Sequence, residues 1–418
     1  MKNKVCMAAA LCAAIYGGTA AFAGELDDPT NAPAPATVDA SQVPHTTAVA
    51  SQAKPHYAPY SSAYGEEVVF DGSAAAPEEV KWFSGSMVGS WYDGFLRKGN
   101  GRATNLNQIW LTGEKTIDTT GKGFDVGGRV DALFGTTNAQ CVDGGFDGKW
   151  GVSGDGYAAS MYQAYAEVGV GKLSAKIGKF GTIIGYEPVD NVPCALNTHT
   201  YMYGHEPSAH TGVLFNYTPG DVLSFDFGMV SGFDNSFENY NGDSGFLFGV
   251  TLKPAENLSL NYSSGLMQRH NAEFAEFHYA LSDMAFGLPN LNAYLQSITL
   301  ESDLSDQLGV AVTTNYGSWQ DRETKDEVYR QVGVAGYLFY KLTDKLDANL
   351  RYEYYTQRLV PGPRIEVDGK GRYHDLGFAF NYHPTQNIFV RPDARYDWVN
   401  EGEKDGGFTG AVAFGMTF

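Results

Sequence analysis

Long stretches of this chain alternate between apolar and polar residues with a period of two. In residues 346–355 the even positions are apolar and the odd positions mostly polar, and residues 124–134 and 388–398 repeat the pattern. Because successive side chains of a β-strand point to opposite faces, each stretch predicts a strand with one apolar and one polar face. Many such strands around a wet interior are typical of an outer-membrane β-barrel, whose outer wall faces lipid.

The alternating segments predict sixteen antiparallel strands in an up-and-down barrel. Seven of the predicted connections are tight turns, and the eight between them are longer, including 137–160, 185–209 and 269–292. Short turns on one rim and long loops on the other are typical of outer-membrane barrels, and an even strand number places both termini on the periplasmic side. The approximate strand cores are 83–94, 106–116, 123–136, 161–171, 173–184, 210–218, 222–232, 244–253, 257–268, 293–302, 308–318, 329–341, 346–357, 372–382, 387–398 and 407–418.

Composition favours one repetitive all-β body over several domains. The chain has 50 Gly, 26 Tyr and 25 Phe, only 18% of its residues are charged, and no run approaches the ~20 apolar residues of a membrane helix. A soluble β-sandwich would show fewer aromatics at strand ends, and a β-helix would show a fixed repeat. Aromatic residues near predicted strand ends are typical of an interfacial girdle. They include Trp91, Tyr92, Trp110, Tyr162, Tyr217, Tyr382 and Trp398.

The first residues predict export. A start containing Lys2 and Lys4, an apolar core and an Ala-Phe-Ala site together predict a cleaved signal peptide over residues 1–23. Residues 24–81, rich in Pro and Ala, predict a disordered periplasmic linker, and residues 82–418 the barrel. Loss of the two lysines takes the formal net charge from −19 to −21, which speaks against nucleic acid and anionic lipid as partners.

Five segments carry a more specific pattern. They are LNQIWLTGEK at 106–115, YQAYAEVG at 162–169, residues 179–187, HTYMYGHEPSAHTGVL at 199–214, and VRPDARYDW at 390–398. In these segments the chain resembles the OmpL-like β-barrel porins of Gram-negative bacteria, over most of residues 82–418. The resemblance implies a porin and does not indicate which solute passes through it.

Sixteen strands leave a lumen that side chains cannot fill, so an aqueous channel is expected. The acidic residues predicted to line it outnumber the basic ones about two to one, which predicts a mild preference for cations. The alternative for each charge is an ion pair with a neighbouring strand that only keeps the wall wet. The predicted acids are Glu114, Asp125, Asp131, Glu167, Asp226, Glu301, Asp347, Glu353, Asp375, Asp393 and Asp397, and the bases are Arg129, Lys176, Arg351, Arg391 and Arg395.

The stretch 185–209 is the best candidate for a loop folded into the pore as a constriction. It is long, and long loops without regular structure in compact proteins are usually functional or disordered. The alternative is an exposed loop packed on its neighbours. The candidate residues are Tyr186, Glu187, Asp190, His199, His205 and Glu206. A metal site would draw on His199, His205, His210, Glu206 and Cys194, but their spacing matches no tight ligand motif. No activated nucleophile is apparent, so neither metal, cofactor nor enzymatic activity is expected.

Two cysteines, Cys141 and Cys194, remain after removal of the signal peptide. In an oxidising compartment such a pair is more often bridged than free. Both lie in predicted long loops on the same rim, so a disulfide between them is expected, and two free thiols are the alternative.

These features together predict an outer-membrane porin for passive diffusion of small polar solutes or ions. The alternative is a structural or adhesive barrel with a plugged lumen. The expected partners are outer-membrane lipid, the barrel assembly machinery and small polar solutes. A homotrimer is possible by analogy with other sixteen-stranded porins.

The end of the chain yields a testable prediction. Phe414, Met416 and Phe418 share one apolar strand face, and this pattern resembles the recognition signal of the barrel assembly machinery. Deletion of Phe418 is therefore expected to lower the amount of assembled protein in the outer membrane, measured by immunoblotting of membrane fractions. Wild-type levels of the shortened protein would contradict this role.

Overall fold

The computed structural model describes residues 80–93, 103–119, 123–137, 143–150, 157–238, 243–269, 290–361, 369–400 and 406–418, the first of these as backbone alone. The predicted signal peptide and nearly all of the predicted linker lie outside the described residues. The structure begins with a strand at Val80, two residues before the predicted start of the barrel.

Sixteen long strands form the main sheet. They are β1 (Val80–Asp93), β2 (Ala103–Lys115), β3 (Phe124–Gly135), β4 (Ala158–Val170), β5 (Leu173–Gly181), β6 (Ala209–Gly220), β7 (Leu223–Val230), β8 (Ser244–Ala255), β9 (Leu258–Arg269), β10 (Leu291–Asp303), β11 (Leu308–Asp321), β12 (Glu327–Thr343), β13 (Leu346–Leu359), β14 (Gly369–Thr385), β15 (Ile388–Val399) and β16 (Gly406–Thr417).

These strands form a closed antiparallel barrel in which each strand pairs with its neighbours in the sequence. The barrel closes where β1 pairs with β16, so that Ser86 lies opposite Thr417 and Asp93 opposite Gly410. The predicted all-β, up-and-down barrel of sixteen strands is therefore confirmed. One predicted strand, 173–184, extends three residues too far, because the chain leaves the wall after Gly181.

The alternation of polarity becomes an alternation of burial. Along β13 every odd-numbered side chain from Asp347 to Leu359 is buried, whereas the apolar side chains of Leu350 and Tyr352 are exposed. The exposed face of a barrel in a membrane is covered by lipid, which favours these apolar side chains. Among the described residues, no helix is long and apolar enough to cross a membrane.

Outward-facing aromatic side chains lie near both ends of the strands. Tyr217, Tyr340 and Tyr382 are exposed within three residues of the short-turn ends of β6, β12 and β14. Tyr396 and Trp398 lie near the other rim, at the end of β15. Two such belts suit the interfaces between lipid and water.

Two aromatic residues predicted for this girdle face inward instead. Trp110 and Tyr162 are 6% and 8% exposed and pack together in a cluster inside the barrel. Each finds a polar partner there, since Trp110 donates to Thr112 Oγ1 (2.9 Å) and Tyr162 to the Ser208 carbonyl (3.0 Å). The prediction was wrong because nearness to a strand end does not determine the face. The side chains of Trp91 and Tyr92 lie outside the described residues.

A small parallel sheet joins two long loops that contact β4 to β6. Gly144–Gly145 of the β3–β4 loop pairs with Asn235–Ser236 of the β7–β8 loop. Below it, Lys179 of β5 forms ion pairs with Asp143 (2.6 Å) and Asp147, and all three side chains are almost fully buried. One lysine thus compensates two buried carboxylates where these loops meet the wall.

This ion cluster predicts a large effect of one substitution. Lys179→Met leaves Asp143 and Asp147 buried without their cation, and removing one partner of a buried pair costs about 3–5 kcal/mol. The free energy of unfolding in urea, measured in lipid vesicles, is expected to fall by this order. The matched control is Lys149→Met, which breaks an exposed pair with Glu238 and is expected to cost less than about 1 kcal/mol. Equal losses in both variants would contradict the cluster's role.

Candidate functional site

Residues 182–208, here called the crossing segment, connect β5 to β6 through the inside of the barrel. Their polar contacts reach inward-facing side chains of β2 and of β10 to β15. In the barrel order β13 and β14 lie eight strands away from β5 and β6, on the opposite wall. The segment therefore crosses the full width of the lumen.

Two charged side chains of β13 bind the main chain of the crossing segment. Arg351 donates to the Thr198 carbonyl (2.5 Å) and forms an ion pair with Glu187 (2.9 Å). Glu353 accepts the backbone N–H groups of Tyr201–Met202 (2.6 and 2.8 Å). Both wall side chains are fully buried, so the segment covers them completely.

The start of β15 binds the segment in the same way. Arg391 donates to both carbonyls of Asn191–Val192 (3.0 and 2.9 Å). Asp393 accepts the Asn197 N–H (3.0 Å). A guanidinium on carbonyls and a carboxylate on an amide are charge-assisted hydrogen bonds, which are about twice as strong as neutral ones.

Farther along β15, Arg395 and Asp397 hold the next part of the segment. Arg395 donates to the His199 carbonyl and lies 5.0 Å from the centre of the Tyr201 ring. Asp397 accepts the Tyr201 hydroxyl (2.8 Å) and forms an ion pair with Arg395 (2.7 Å). The segment therefore docks on the charged motif of β15, along most of the length of that motif.

Glu187 lies at the centre of the contact between segment and wall. Besides the ion pair with Arg351, it accepts the Thr200 N–H (2.7 Å) and the Tyr337 hydroxyl (3.0 Å), and His199 Nδ1 lies 3.2 Å away. Burial by itself would raise the pKa of Glu187, but Arg351, His199 and Thr200 lower it to about 2. Glu187 is therefore ionised throughout the physiological range.

The segment enters and leaves the lumen at one point. Gly185 donates to Ser297 Oγ (3.0 Å), and Glu206 accepts from Asn315 Nδ2 (3.0 Å). A β-carbon at Gly185 would stand 2.2 Å from Glu206 Oε2, and its φ of +96° favours glycine. The two ends of the segment therefore contact each other.

The middle of the segment returns to the wall at β2. Gln108 donates to the Val189 carbonyl (2.9 Å) and accepts the Asn191 N–H (3.0 Å). Between them Asp190 accepts the Val192 N–H (2.9 Å). Burial raises the pKa of Asp190 to about 6, although this hydrogen bond lowers it in part.

A second charge cluster lies on β2 to β4. Arg129 forms ion pairs with Glu114 (3.4 Å) and Asp131 (2.9 Å). Asp131 also accepts from Gln163 Nε2 (2.6 Å) and the Thr112 hydroxyl (2.7 Å). The Arg129 and Glu114 side chains are each 22% exposed, so part of this cluster is in contact with water.

All the predicted pore-lining charges lie on inward-facing positions, but they divide into two groups. Glu114, Asp125, Arg129, Asp226, Glu301 and Asp397 are partly exposed. The other ten are buried, namely Asp131, Glu167, Lys176, Asp347, Arg351, Glu353, Asp375, Arg391, Asp393 and Arg395. The six predicted constriction residues all lie within the crossing segment. Their role in permeation stays a prediction.

Sequence reasoning missed the uncharged amide side chains that also hold the segment. Asn349 and Asn381 both donate to the Ala195 carbonyl (3.3 and 3.2 Å), and Gln331 donates to the His205 carbonyl (3.1 Å). Each occupies an inward position of the alternation. The alternation along each strand predicts that these amides face inward, but it does not distinguish them from other inward-facing polar residues.

The predicted disulfide receives no support from the described residues. Cys194 is a buried free thiol that donates to the Asp190 carbonyl (3.2 Å), and Cys141 lies outside them. Burial raises the pKa of the Cys194 thiol, which keeps it protonated. The pairing stays a prediction.

Comparison with known families identifies the chain. The family model described as "Putative beta-barrel porin-2, OmpL-like" matches residues 93–418. The chain belongs to this family. The resemblance inferred from the sequence is thus confirmed, and the protein is an outer-membrane barrel of the porin type. No curated protein matches the sequence.

Several solved porin structures share the fold. The trimer form of OmpT from Vibrio cholerae is 13% identical and has a TM-score of 0.54, covering 80% of this chain and 98% of its own. An anion-selective porin from Comamonas acidovorans is 10% identical over 80% and 98% (TM-score 0.53), and OmpF of Salmonella typhi is 15% identical over 80% and 97% (TM-score 0.52). At such identity the likeness shows the fold alone.

The entry point of the segment predicts a pH dependence of stability. Burial raises the pKa of Glu206 to about 7 from its ordinary 4.5; the Asn315 hydrogen bond lowers it in part, and Glu187 raises it further. A raised pKa means that the neutral form stabilises the fold fully below pH 4.5, and this contribution is lost as the pH rises through 7. Between pH 5 and pH 8 this group alone is expected to lower the free energy of unfolding by about 2–3 kcal/mol.

Glu206→Gln keeps the hydrogen-bonding shape and cannot ionise, so it is expected to remove this part of the pH dependence. The measurement is urea unfolding in vesicles at pH 5 and pH 8 for both proteins. An equal change in the free energy of unfolding between pH 5 and pH 8 for wild type and variant would show that Glu206 does not titrate in the folded barrel.

Proposed function

We propose that the protein is a passive diffusion channel whose passage is narrowed by the crossing segment. The observation that carries this proposal is the path of residues 182–208, which reach the wall opposite their own strands. Because that path lies inside the barrel, a solute that traverses the lumen must pass beside the segment. The segment then sets an exclusion limit suited to ions and small polar solutes.

The proposed passage prefers cations, because the segment covers the basic side chains more completely than the acidic ones. Arg351 and Arg391 are at most 1% exposed, and Arg395 is 9% exposed. Among the predicted pore-lining charges that remain partly exposed, Arg129 is the one base, and the acids are Glu114, Asp125, Asp226, Glu301 and Asp397. Partly exposed carboxylates attract cations from water and repel anions.

A second candidate function, a barrel with a blocked lumen, is favoured by one specific observation. Next to the entry point of the segment, Phe180 and Ile184 pack with Leu247, Leu291 and Trp319 in a buried apolar cluster. These side chains exclude water from that part of the interior. Such a protein would act through its loops, as a structural or adhesive barrel, and would not conduct.

We also propose how the barrel is placed in the membrane and what it interacts with. Outer-membrane lipid surrounds the barrel, the barrel assembly machinery inserts it, and both termini lie in the periplasm, as the even strand number suggests. A homotrimer is proposed on the basis of the similar Vibrio cholerae protein, which is described in a trimer form. We propose no cofactor and no enzymatic activity.

Planar-bilayer recording in a salt gradient tests the proposed function. Wild type is expected to conduct and to favour potassium over chloride at low salt, and the preference is expected to fade at high salt as screening increases. A barrel that assembles and does not conduct would support the blocked lumen. A preference for chloride would show that the arginines dominate the passage.

A triple variant tests which residues carry the selectivity. Glu114→Gln, Asp226→Asn and Glu301→Gln together remove three partly exposed inward carboxylates, and the potassium preference is expected to decrease. Glu323→Gln, in the exposed β11–β12 turn, is the control with an expected unchanged reversal potential. Equal reversal potentials for the triple variant and wild type would place the selectivity elsewhere.

A further inference from the structure

Glycines of the inner wall lie directly under apolar side chains of the crossing segment. A β-carbon at Gly333 of β12 would stand 2.3 Å from Met202 Cγ and 2.4 Å from its Sδ. A β-carbon at Gly377 of β14 would stand 2.4 Å from Leu196 Cδ2. Non-bonded carbon atoms approach each other to about 3.5 Å, so neither position has room for a methyl group.

The same arrangement occurs where the segment enters the lumen. A β-carbon at Gly265 of β9 would stand 2.9 Å from Ile184 Cδ1. At Gly249 of β8 the distance to Ile183 Cδ1 would be 3.3 Å. These four glycines, here called the recess glycines, therefore lie under four apolar side chains of the segment, most tightly at β12 and β14.

Backbone conformation does not explain these glycines. None of the recess glycines has a positive φ, so an ordinary residue could adopt the same backbone. Gly336, on the outward face of β12, has no atom within 4 Å of an added β-carbon. The inner positions differ from Gly336 because side chains lie directly over them. At Gly333 and Gly377 a side chain of the segment occupies the space that a β-carbon would need.

We propose that the recess glycines determine the width of the passage by fixing how closely the crossing segment lies against the wall. This inference rests on the proposed function. Met202 and Leu196 are 2% and 3% exposed and pack with Ala335 and Ala379. Because packed interiors leave little free volume, a larger wall residue must push the segment away from the wall. The only direction open to it is toward the centre of the lumen.

Valine substitutions at the two tightest positions test this inference. Single-channel conductance of Gly333→Val and of Gly377→Val is expected to fall by roughly 10–40%, since conductance follows the narrowest radius. Polyethylene glycols of graded mass, added to both sides, are expected to be excluded at a smaller size than in wild type. The matched control is Gly336→Val, which places the same side chain on the outward face of the same strand.

A second substitution separates the position of the segment from general damage. Met202→Ala in the Gly333→Val background frees the space that valine requires, and the conductance is expected to return toward the wild-type value. Assembly of each variant is checked by heat-modifiable migration in gels. If the valine variants do not assemble, Met202→Ala alone carries the test, with an expected rise in conductance as the segment settles closer to the wall.

The outcomes distinguish this inference from the function on which it rests. An assembled wild type without conductance would overturn the proposed channel. A conducting wild type with assembled valine variants of unchanged or higher conductance and the same exclusion size would overturn the role of the glycines. Unchanged conductance of Met202→Ala, where it alone carries the test, would do the same.

Discussion

Charged side chains of β13 and β15 bind the main chain of the crossing segment, and the rest of the lumen is arranged around these bonds. Within residues 182–208, all of which the structure describes, regular structure is limited to one short turn at Tyr203–His205. Buried amides and carbonyls of such a chain need partners from side chains, because a buried polar group without one costs about 1–3 kcal/mol. Arg351, Arg391 and Glu353 supply partners from the wall. Displacement of the segment beyond hydrogen-bond distance of these side chains would leave their charges unpaired.

The same bonds also change the electrostatic field inside the barrel. A guanidinium that donates to segment carbonyls and to buried carboxylates contributes little field to water, as Arg351 does between Glu187 and Asp375. In the channel that we propose, the segment decides which wall charges a passing ion meets. The fold alone does not decide this, because a porin described as anion-selective shares it at a TM-score of 0.53. Under this account, selectivity lies in the pairing of individual residues.

The sequence predicted the barrel well because one period of two governs every strand. Strand number, turn positions and the inward side of Arg351 or Asp393 follow from that period alone. Long-range contacts do not, and so the sequence suggested a loop in the pore without indicating that Glu187 meets Arg351. It also placed Trp110 on the wrong face, since a position near a strand end leaves the face open. The sequence contains no recognisable sign of the role of Gly333, because that role depends on a side chain from a distant part of the chain.

The most direct test of this account is the conductance of a variant without the crossing segment. Gly185 and Glu206 contact each other, so the residues between them can be replaced by a short Gly-Ser turn while the wall remains intact. The account predicts that this variant assembles and that its single-channel conductance is several-fold higher than that of wild type, with a larger exclusion size. An assembled variant with wild-type conductance would show that the segment does not restrict the passage and would contradict the central claim.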